Sequence, residues 1–417
     1  MSQTSSAPTR RVIFVNRYFH PDHSATAQLL TDVATHLAAR GWNVQVVTGR
    51  RRYGADGLLP SRENHKGVEI IRVWDFGLGR GSLAARAVDS MTFLVTAFLN
   101  LLRFIQRGDL VVAKTDPPLL GVVVAWAARI RGARTINWLQ DLYPEVASAL
   151  GLKLMEGPVG AALRIVRNRG LRSAATNVVI GELMAERLRS EGIGDEQIAV
   201  IPNWTDDLAL FEDVAGTQSL RRSWGFKEDD FVIGYSGNLG RAHEWATMFA
   251  AAKRLRGEAD VRFLFIGDGH HLEALKSAVA SEGLTSFLFQ PYQPRERLAQ
   301  SLAVADLHWI SLRPQLEGLI VPSKFFGVAA TRRPVLAVAA ADGELGRLIS
   351  RFACGAVVEP GDSEGLADVL MSLRADPSTR RTLGLRARAM LDAHFTRSAA
   401  LGRWVEVLNR NVSLDRR

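Results

Sequence analysis

Cysteine is almost absent: Cys354 is the one thiol in 417 residues. No intrachain disulfide or cysteine-based metal cluster can form, and a reducing compartment is expected. The residues around Cys354 are apolar, which fits a packed, inert thiol better than a nucleophile. Neither a G-x-S-x-G elbow nor a G-x-x-x-x-G-K-[ST] loop occurs, so the two commonest signatures of nucleophilic and nucleotide hydrolysis are missing. No His, Cys and Asp cluster has metal-ligand spacing; His20 and His23 share a loop and read as cleft-lining or surface histidines. The opening MSQTSSAPTRR is polar and lacks an apolar h-region, so no secretory signal is expected. No apolar run reaches about 18 residues. The longest, Met91 to Ile105, carries Asn100 and Arg103 and reads as too short and too interrupted to span a bilayer. Acid is also in deficit, with 43 Asp and Glu against 52 Lys and Arg, a net charge of +9. That excess points to an anionic partner: a phosphorylated ligand, nucleic acid or an acidic membrane surface.

What is present is a globular chain, 47% hydrophobic and 23% charged, long enough for two or three domains of about 150 residues. Arg11–Asn16 reads as a buried strand, Ala27–Arg40 as a helix stopped by Gly41, and Val44–Val47 as the next strand. Val68–Val73, Leu110–Ala113 and Thr135–Trp138 continue the pattern. The same grammar restarts at Phe231–Gly237 and runs through Val261–Ile266, Leu307–Ser311, Val335–Ala339 and Ala356–Val358. Alternating strands and helices predict parallel, doubly wound sheets, here in two Rossmann-like halves joined near residues 203–220. Ser378–Val412 reads as largely helical and able to pack back across the first half.

Three segments of the second half suit an anion. Ser236-Gly-Asn-Leu-Gly240 lies between a strand and a helix, where bare backbone and helix N–H groups can meet a phosphate, with Arg241 beside it. Gly267-Asp-Gly269 closes the next strand on the same edge. Pro322, Ser323 and Lys324 look like a helix start with a cation attached. Read one at a time, each is equally a tight turn or an ordinary capped helix. In the first half Asp116, Asp141 and Glu145 lie just past strand ends, where carboxylates orient hydroxyls, move protons, or merely cap loops. The helix around Met91–Arg107 is apolar on most sides and flanked by Arg80, Arg86, Arg103 and Arg107. It suits a core helix or one lying in a membrane interface.

Taken together, Tyr235-Ser-Gly-Asn-Leu-Gly-Arg-Ala-His-Glu244, Ile266-Gly-Asp-Gly269, Val321-Pro-Ser-Lys324 and Ile201-Pro-Asn-Trp204 resemble family 4 glycosyltransferases. The similarity is to the bacterial branch of colanic-acid and O-antigen sugar transfer, and Tyr18–Thr26 and Asn137–Glu145 share it. It covers residues 11 to 410 and implies a GT-B fold, two Rossmann-like domains facing a central cleft. The expected boundaries are 1–205 and 206–385, with a helical segment 386–417 crossing back to the first domain. The resemblance implies a retaining transfer, without metal or other cofactor, from a nucleotide diphosphate sugar, expected to be UDP-linked. The acceptor would be a lipid-diphosphate-linked sugar at the inner, cytoplasmic face of a bacterial membrane, met peripherally through residues 80–107.

Carried over by position, Gly237, Asn238, Gly240 and Gly267 would shape the diphosphate turns. Arg241 and Lys324 would neutralise the leaving charge, the amides near Ser323 would bind it, and Pro291 and Tyr292 would cradle the base. Gln140 stands where many relatives carry a histidine near the sugar, with catalytic Asp141 beside it. His23, Asp116 and Glu145 would meet acceptor or sugar hydroxyls. The family's paired glutamates, E-x7-E, fall on Leu319 and Gly327 when counted back from Pro334, which leaves Glu317 as the candidate substitute. A nucleotide-sugar 2-epimerase of the same architecture is the alternative. Nucleic acid is not an expected partner, because the arginines are scattered rather than gathered on one basic, aromatic face.

Overall fold

A computed structural model describes residues 10–22, 24–52, 55–78, 82–205 and 213–413. The chain forms two compact units, Met1–Pro202 with Ala400–Arg417, and Asn203–Ala399. The return to the first unit thus begins at Ala400, later than the expected 386.

In the first unit β1 (Arg11–Val15), α1 (Ala25–Ala38) and β2 (Asn43–Gly49) come first. A short ribbon of β3 (Arg51–Arg52) and β4 (Ala55–Leu58) precedes β5 (Arg62–His65) and β6 (Val68–Val73). Then follow α2 (Leu83–Phe104), β7 (Leu110–Lys114), α3 (Leu120–Arg131), β8 (Arg134–Trp138), α4 (Glu145–Ala149) and α5 (Pro158–Ser173). β9 (Thr176–Val179), α6 (Glu182–Ser190) and β10 (Ile198–Val200) complete the series. The sheet order is β10-β9-β8-β7-β1-β2-β6-β5, with β5 antiparallel to β6. Val12, Ile13, Phe14 and Val15 are fully buried, as a strand covered on both faces requires. From β1 the chain builds outward to β2 and β6, then returns to the other side of β1 with β7. The loops after β1 and β7 therefore meet at the carboxyl edge, where Arg17 N–H donates to Asp116 O at 3.0 Å.

The second unit repeats this device. It contains α7 (Val214–Ser223), β11 (Phe231–Ser236), α8 (Ala246–Arg254), β12 (Val261–Ile266), α9 (Leu272–Ser281) and β13 (Phe287–Gln290). α10 (Leu298–Ala303), β14 (Leu307–Ser311), α11 (Lys324–Ala330), β15 (Val335–Val338), α12 (Glu344–Phe352) and β16 (Gly355–Val358) follow. α13 (Ser363–Ala375) and α14 (Pro377–His394) complete it, and α15 (Arg397–Ser413) belongs from Ala400 onward to the first unit. Its sheet, β13-β12-β11-β14-β15-β16, reverses between β11 and β14, and there Arg313 N–H donates to Ala242 O at 3.1 Å. Cys354 is wholly buried before β16, and burial pushes its thiol pKa up to about 11, consistent with an inert packed residue.

Two elements differ from the sequence pattern. The apolar segment expected over Met91–Ile105 belongs to a 22-residue helix that starts at Leu83, where the Ser82 hydroxyl accepts from Ala85 N–H at 3.1 Å. By length and composition alone, its Ala84–Phe104 stretch is sufficient to cross a membrane, which corrects the expectation that it was too short. Its buried side chains, Phe93, Leu94, Ala97 and Leu101, pack with Ile13, Val15 and Val73 of the sheet, the position of a layer helix. The second is β9, whose sequence Thr-Asn-Val-Val hides its strand character. Asn177 is tolerated there because its Oδ1 accepts from Asn137 at 2.8 Å and its Nδ2 donates to Leu171 O at 3.0 Å.

α15 docks on the first unit through Trp404, fully buried, whose ring centroid lies 4.5 Å from that of Trp138. Asn411 Nδ2 donates to Thr176 Oγ1 at 3.1 Å, and Arg134 donates to Asn411 O at 2.7 Å. Trp404→Ala should lower unfolding stability by about 3–5 kcal/mol in denaturant titration, the range for a lost buried tryptophan; a change below about 1 kcal/mol would show that this docking is dispensable.

Candidate functional site

The reversal in the second unit brings the turn after β11 against the loop and helix that follow β14. Gly237 has φ +125°, and a Cβ there would lie 2.5 Å from Lys324 Cε. Gly267, at φ +133°, would drive a Cβ to 2.3 Å from Gly237 O, so the two glycine turns interlock through bare backbone. Gly237 N–H donates to Ile266 O and Leu239 N–H to Asp268 O, both at 2.8 Å. Gly240 is not under this constraint: a Cβ there meets nothing closer than 3.5 Å.

Lys324 lies over these turns. Its Nζ donates to Tyr235 Oη at 2.7 Å and to Asn238 O at 2.8 Å, and lies 2.9 Å from His243 Nε2. His243 Nδ1 is 2.6 Å from Ser311 O, a carbonyl that can only accept, so Nδ1 carries the proton and Nε2 accepts from the lysine. Burial lowers the Lys324 pKa to about 7, and burial with the Lys324 charge holds His243 down to about 3. Tyr235 is fully buried and stacks on Phe265 at 4.8 Å. Arg241 is exposed and forms no ion pair among the described residues, so its guanidinium is available to an anion.

The other expected residues of this unit are placed less uniformly. Ser323 occupies the cap position of α11, but its hydroxyl makes no capping bond, and Pro322 lies before the helix rather than in it. Glu317 is withdrawn rather than open to a ribose: its Oε2 accepts from Glu344 N–H at 3.0 Å, and its Oε1 is buried without a partner. Burial raises its pKa to about 7. Pro291 and Tyr292 follow β13 on the same carboxyl edge, and Tyr292 is exposed.

A second constellation occupies the carboxyl edge of β7 and β8 in the first unit. Lys114, Thr115, Asn137, Asp141, Tyr143 and Arg167 line a cavity of about 50 Å³. Lys114 is 1% exposed. Its Nζ donates to Thr26 O at 3.1 Å and sits 3.6 Å from the centre of the Trp138 ring. Burial pulls its pKa well down, against the opposing charges of Asp141 and Asp116. Burial and Asp116 raise Asp141 to about 6, with Lys114 opposing. Gln140 is buried, and its N–H donates to Thr115 Oγ1 at 3.3 Å. Glu145 is committed elsewhere, its Oε1 accepting from Arg167 Nη2 at 2.6 Å. His23 lies outside the described residues.

Sequence reasoning missed Lys114, His243 and Tyr235 as site residues. Lys114 had a signal, a charge closing the apolar strand Leu110-Val-Val-Ala-Lys114. Tyr235 and His243 flank the glycine turn by two residues or three, and only the fold shows that both turn inward.

The model of the glycosyl transferase 4-like domain matches residues 25–204, and that of glycosyl transferases group 1 matches residues 216–390. The chain is 26% identical over 360 residues to WcaI of Escherichia coli (strain K12), a colanic acid biosynthesis glycosyl transferase, covering 84% of this chain and 88% of that protein. Its fold is similar to sucrose-phosphate synthase of Thermosynechococcus elongatus, with a TM-score of 0.78 at 17% identity, covering 97% of this chain and all of that one. It is also similar to HepE of Anabaena, solved with UDP-glucose, with a TM-score of 0.71 at 17% identity, covering 96% and 99% of the two chains.

Two outcomes are expected of these clusters. Nitrogen NMR should show His243 neutral, protonated at Nδ1, from pH 5 to pH 8, whereas a titration near the ordinary histidine value of about 6.5 would contradict the lysine contact. In Lys114→Met the cation opposing the rise is gone, so the Asp141 carboxyl carbon should titrate above about 6; an unchanged midpoint would show that Lys114 does not act on it.

Proposed function

The chain belongs to the GT-B glycosyltransferases, with a glycosyl transferase 4-like first half and a group 1 second half, and on that premise we propose that it transfers a sugar from a UDP-linked donor to a lipid-diphosphate-linked saccharide in the synthesis of a bacterial surface polysaccharide. The observation that carries this reading is the pair of interlocked glycine turns with Lys324 and Arg241 at the strand-order reversal of the second unit. Bare backbone at Gly237 and Gly267 lets a diphosphate approach, and the two cations stabilise its charge as it leaves. The UDP-glucose bound by HepE and the biosynthetic role in the name of WcaI support the same choice of donor and process. The matching domains favour transfer over the epimerase alternative.

In this reading the acceptor hydroxyl attacks the anomeric carbon from the face the diphosphate leaves, so configuration is retained. The bond from that carbon to the phosphate oxygen breaks, its electron pair stays on the diphosphate, and the hydroxyl proton passes to that oxygen. Asp141, poised near neutrality in the first unit, would hold an acceptor or sugar hydroxyl. The protein would act peripherally at the cytoplasmic face of the membrane through residues 80–107, of which 80 and 81 lie outside the described residues. The outward Val88, Met91, Val95 and Leu99 of α2 support that attachment.

Arg241→Ala and Lys324→Ala should each cost about 2–4 kcal/mol of transition-state stabilisation, read as turnover of a UDP-sugar. Unchanged turnover in both folded variants would overturn the assignment. A diphosphate beside Lys324 favours its charged form and raises its pKa from about 7. Affinity for a UDP-sugar, whose diphosphate has no group titrating at about pH 6, should therefore be flat below pH 7 and fall as the pH rises to 9, with proton uptake in calorimetry. Affinity that does not change over this range would show that Lys324 does not meet the diphosphate.

A further inference from the structure

In the first unit α2, α3 and α5 lie side by side, α2 against α3 and α3 against α5. Their outer surface is unusually apolar. Val88, Met91, Val95 and Leu99 recur at helical spacing along α2 and are all exposed. Trp126 and Ile130, one turn apart on α3, are 62% and 65% exposed, and Ile165 on α5 is 52% exposed. Water-facing side chains this large, gathered on adjacent helices, mark an interaction surface.

The charge on this layer has one sign. α3 and α5 contain no Asp or Glu, and the only acid of α2, Asp89, is buried, accepting from Leu78 N–H at 2.8 Å. Arg86, Arg103, Arg129, Arg164 and Arg169 are exposed and form no ion pair among the described residues. Between α3 and α5 runs a groove of about 750 Å³ whose polar lining is Arg129, Arg134, Arg169, Thr135 and Ser173, with the Trp126 ring on its wall. No carboxylate lines it. Arg134 donates to Asn411 O, whereas Arg129 and Arg169 have no acceptor among the described residues.

We propose that this three-helix face lies on an anionic bilayer and that the α3–α5 groove takes the phosphate of one anionic phospholipid. The proposal rests on the peripheral attachment inferred above, and extends it from residues 80–107 to two further helices and a headgroup site. The apolar stripe enters the boundary between headgroups and acyl chains, the arginines are drawn to the surface charge, and Trp126 sits at headgroup level. Paired guanidinium groups match phosphate oxygens, and two hydroxyls can complete the shell. An acidic protein would answer the charge but would leave the long apolar stripe with less to bury against.

The test is co-sedimentation of the full chain with phosphatidylcholine vesicles, with and without phosphatidylglycerol. Wild type should bind only the anionic vesicles, and Arg129→Ala/Arg169→Ala should bind them roughly twenty- to thirty-fold more weakly, as expected for two lost surface cations. Trp126→Ser/Ile130→Ser should weaken binding as well, and UDP calorimetry on each variant verifies that the second unit is intact. If both double variants bind as wild type while Met91→Ser/Leu99→Ser does not, attachment runs through α2 alone and the groove is overturned. Equal competition by inorganic phosphate against vesicle binding would also overturn a lipid site, leaving a free-phosphate site. If wild type ignores both vesicles, the peripheral reading itself fails and this inference with it, whereas the transferase reading is judged separately by sugar turnover.

Discussion

An ammonium partly shielded from water must find acceptors, and the second unit is arranged around that demand. Lys324 Nζ faces a phenol, a carbonyl and an imidazole, one acceptor for each of its three protons. It reaches them only because strand order reverses between β11 and β14, so that segments almost 90 residues apart share one sheet edge. The glycines are part of the same constraint: a side chain on Gly237 would occupy the space of the lysine stem, and one on Gly267 would force the turns apart. The lysine is therefore held near its ionisation midpoint above a surface of bare backbone, a state that a diphosphate would resolve in favour of the charge.

The first unit answers the same topology differently. Lys114 also ends a strand beside the point of reversal, but its partners are one carbonyl and the face of Trp138. With so little hydrogen bonding, its charge leans on Asp141 and Asp116, and the carboxyl of Asp141 is raised in turn. Trp138 is covered from behind by Trp404 of α15, so the terminal helix contributes to the wall of this cluster from the far end of the chain. Each unit thus carries a lysine at its carboxyl edge, the half-buried Lys324 held by three neutral acceptors and the buried Lys114 coupled to carboxylates.

Much of this was legible in the sequence. Short apolar runs and helices of period 3.6 located the central strands of both sheets, and the glycine turns with Arg241 and Lys324 stood out because glycine and cation follow strands. β9 opens on two polar residues, Thr176 and Asn177, and so offers no apolar run to read. Roles that depend on orientation were not legible. Glu317 has the right residue type near the right place, yet its carboxyl turns to the first N–H of α12, that of Glu344. Glu145 is likewise drawn into an ion pair with Arg167, a residue 22 positions away that no local pattern links to it. The exposed apolar face of the first unit was half visible: α2 was apolar enough to notice, but Trp126, Ile130 and the acid-free surface of α5 join it only when the helices are laid side by side.

On the proposed function, the diphosphate of the donor is received by the glycine turns and Lys324. Hydrogen–deuterium exchange of the full chain with and without UDP tests it most directly. Exchange should slow in residues 236–244 and 321–326, with the first unit little changed. Protection absent from those two segments, or confined to the first unit, would contradict it.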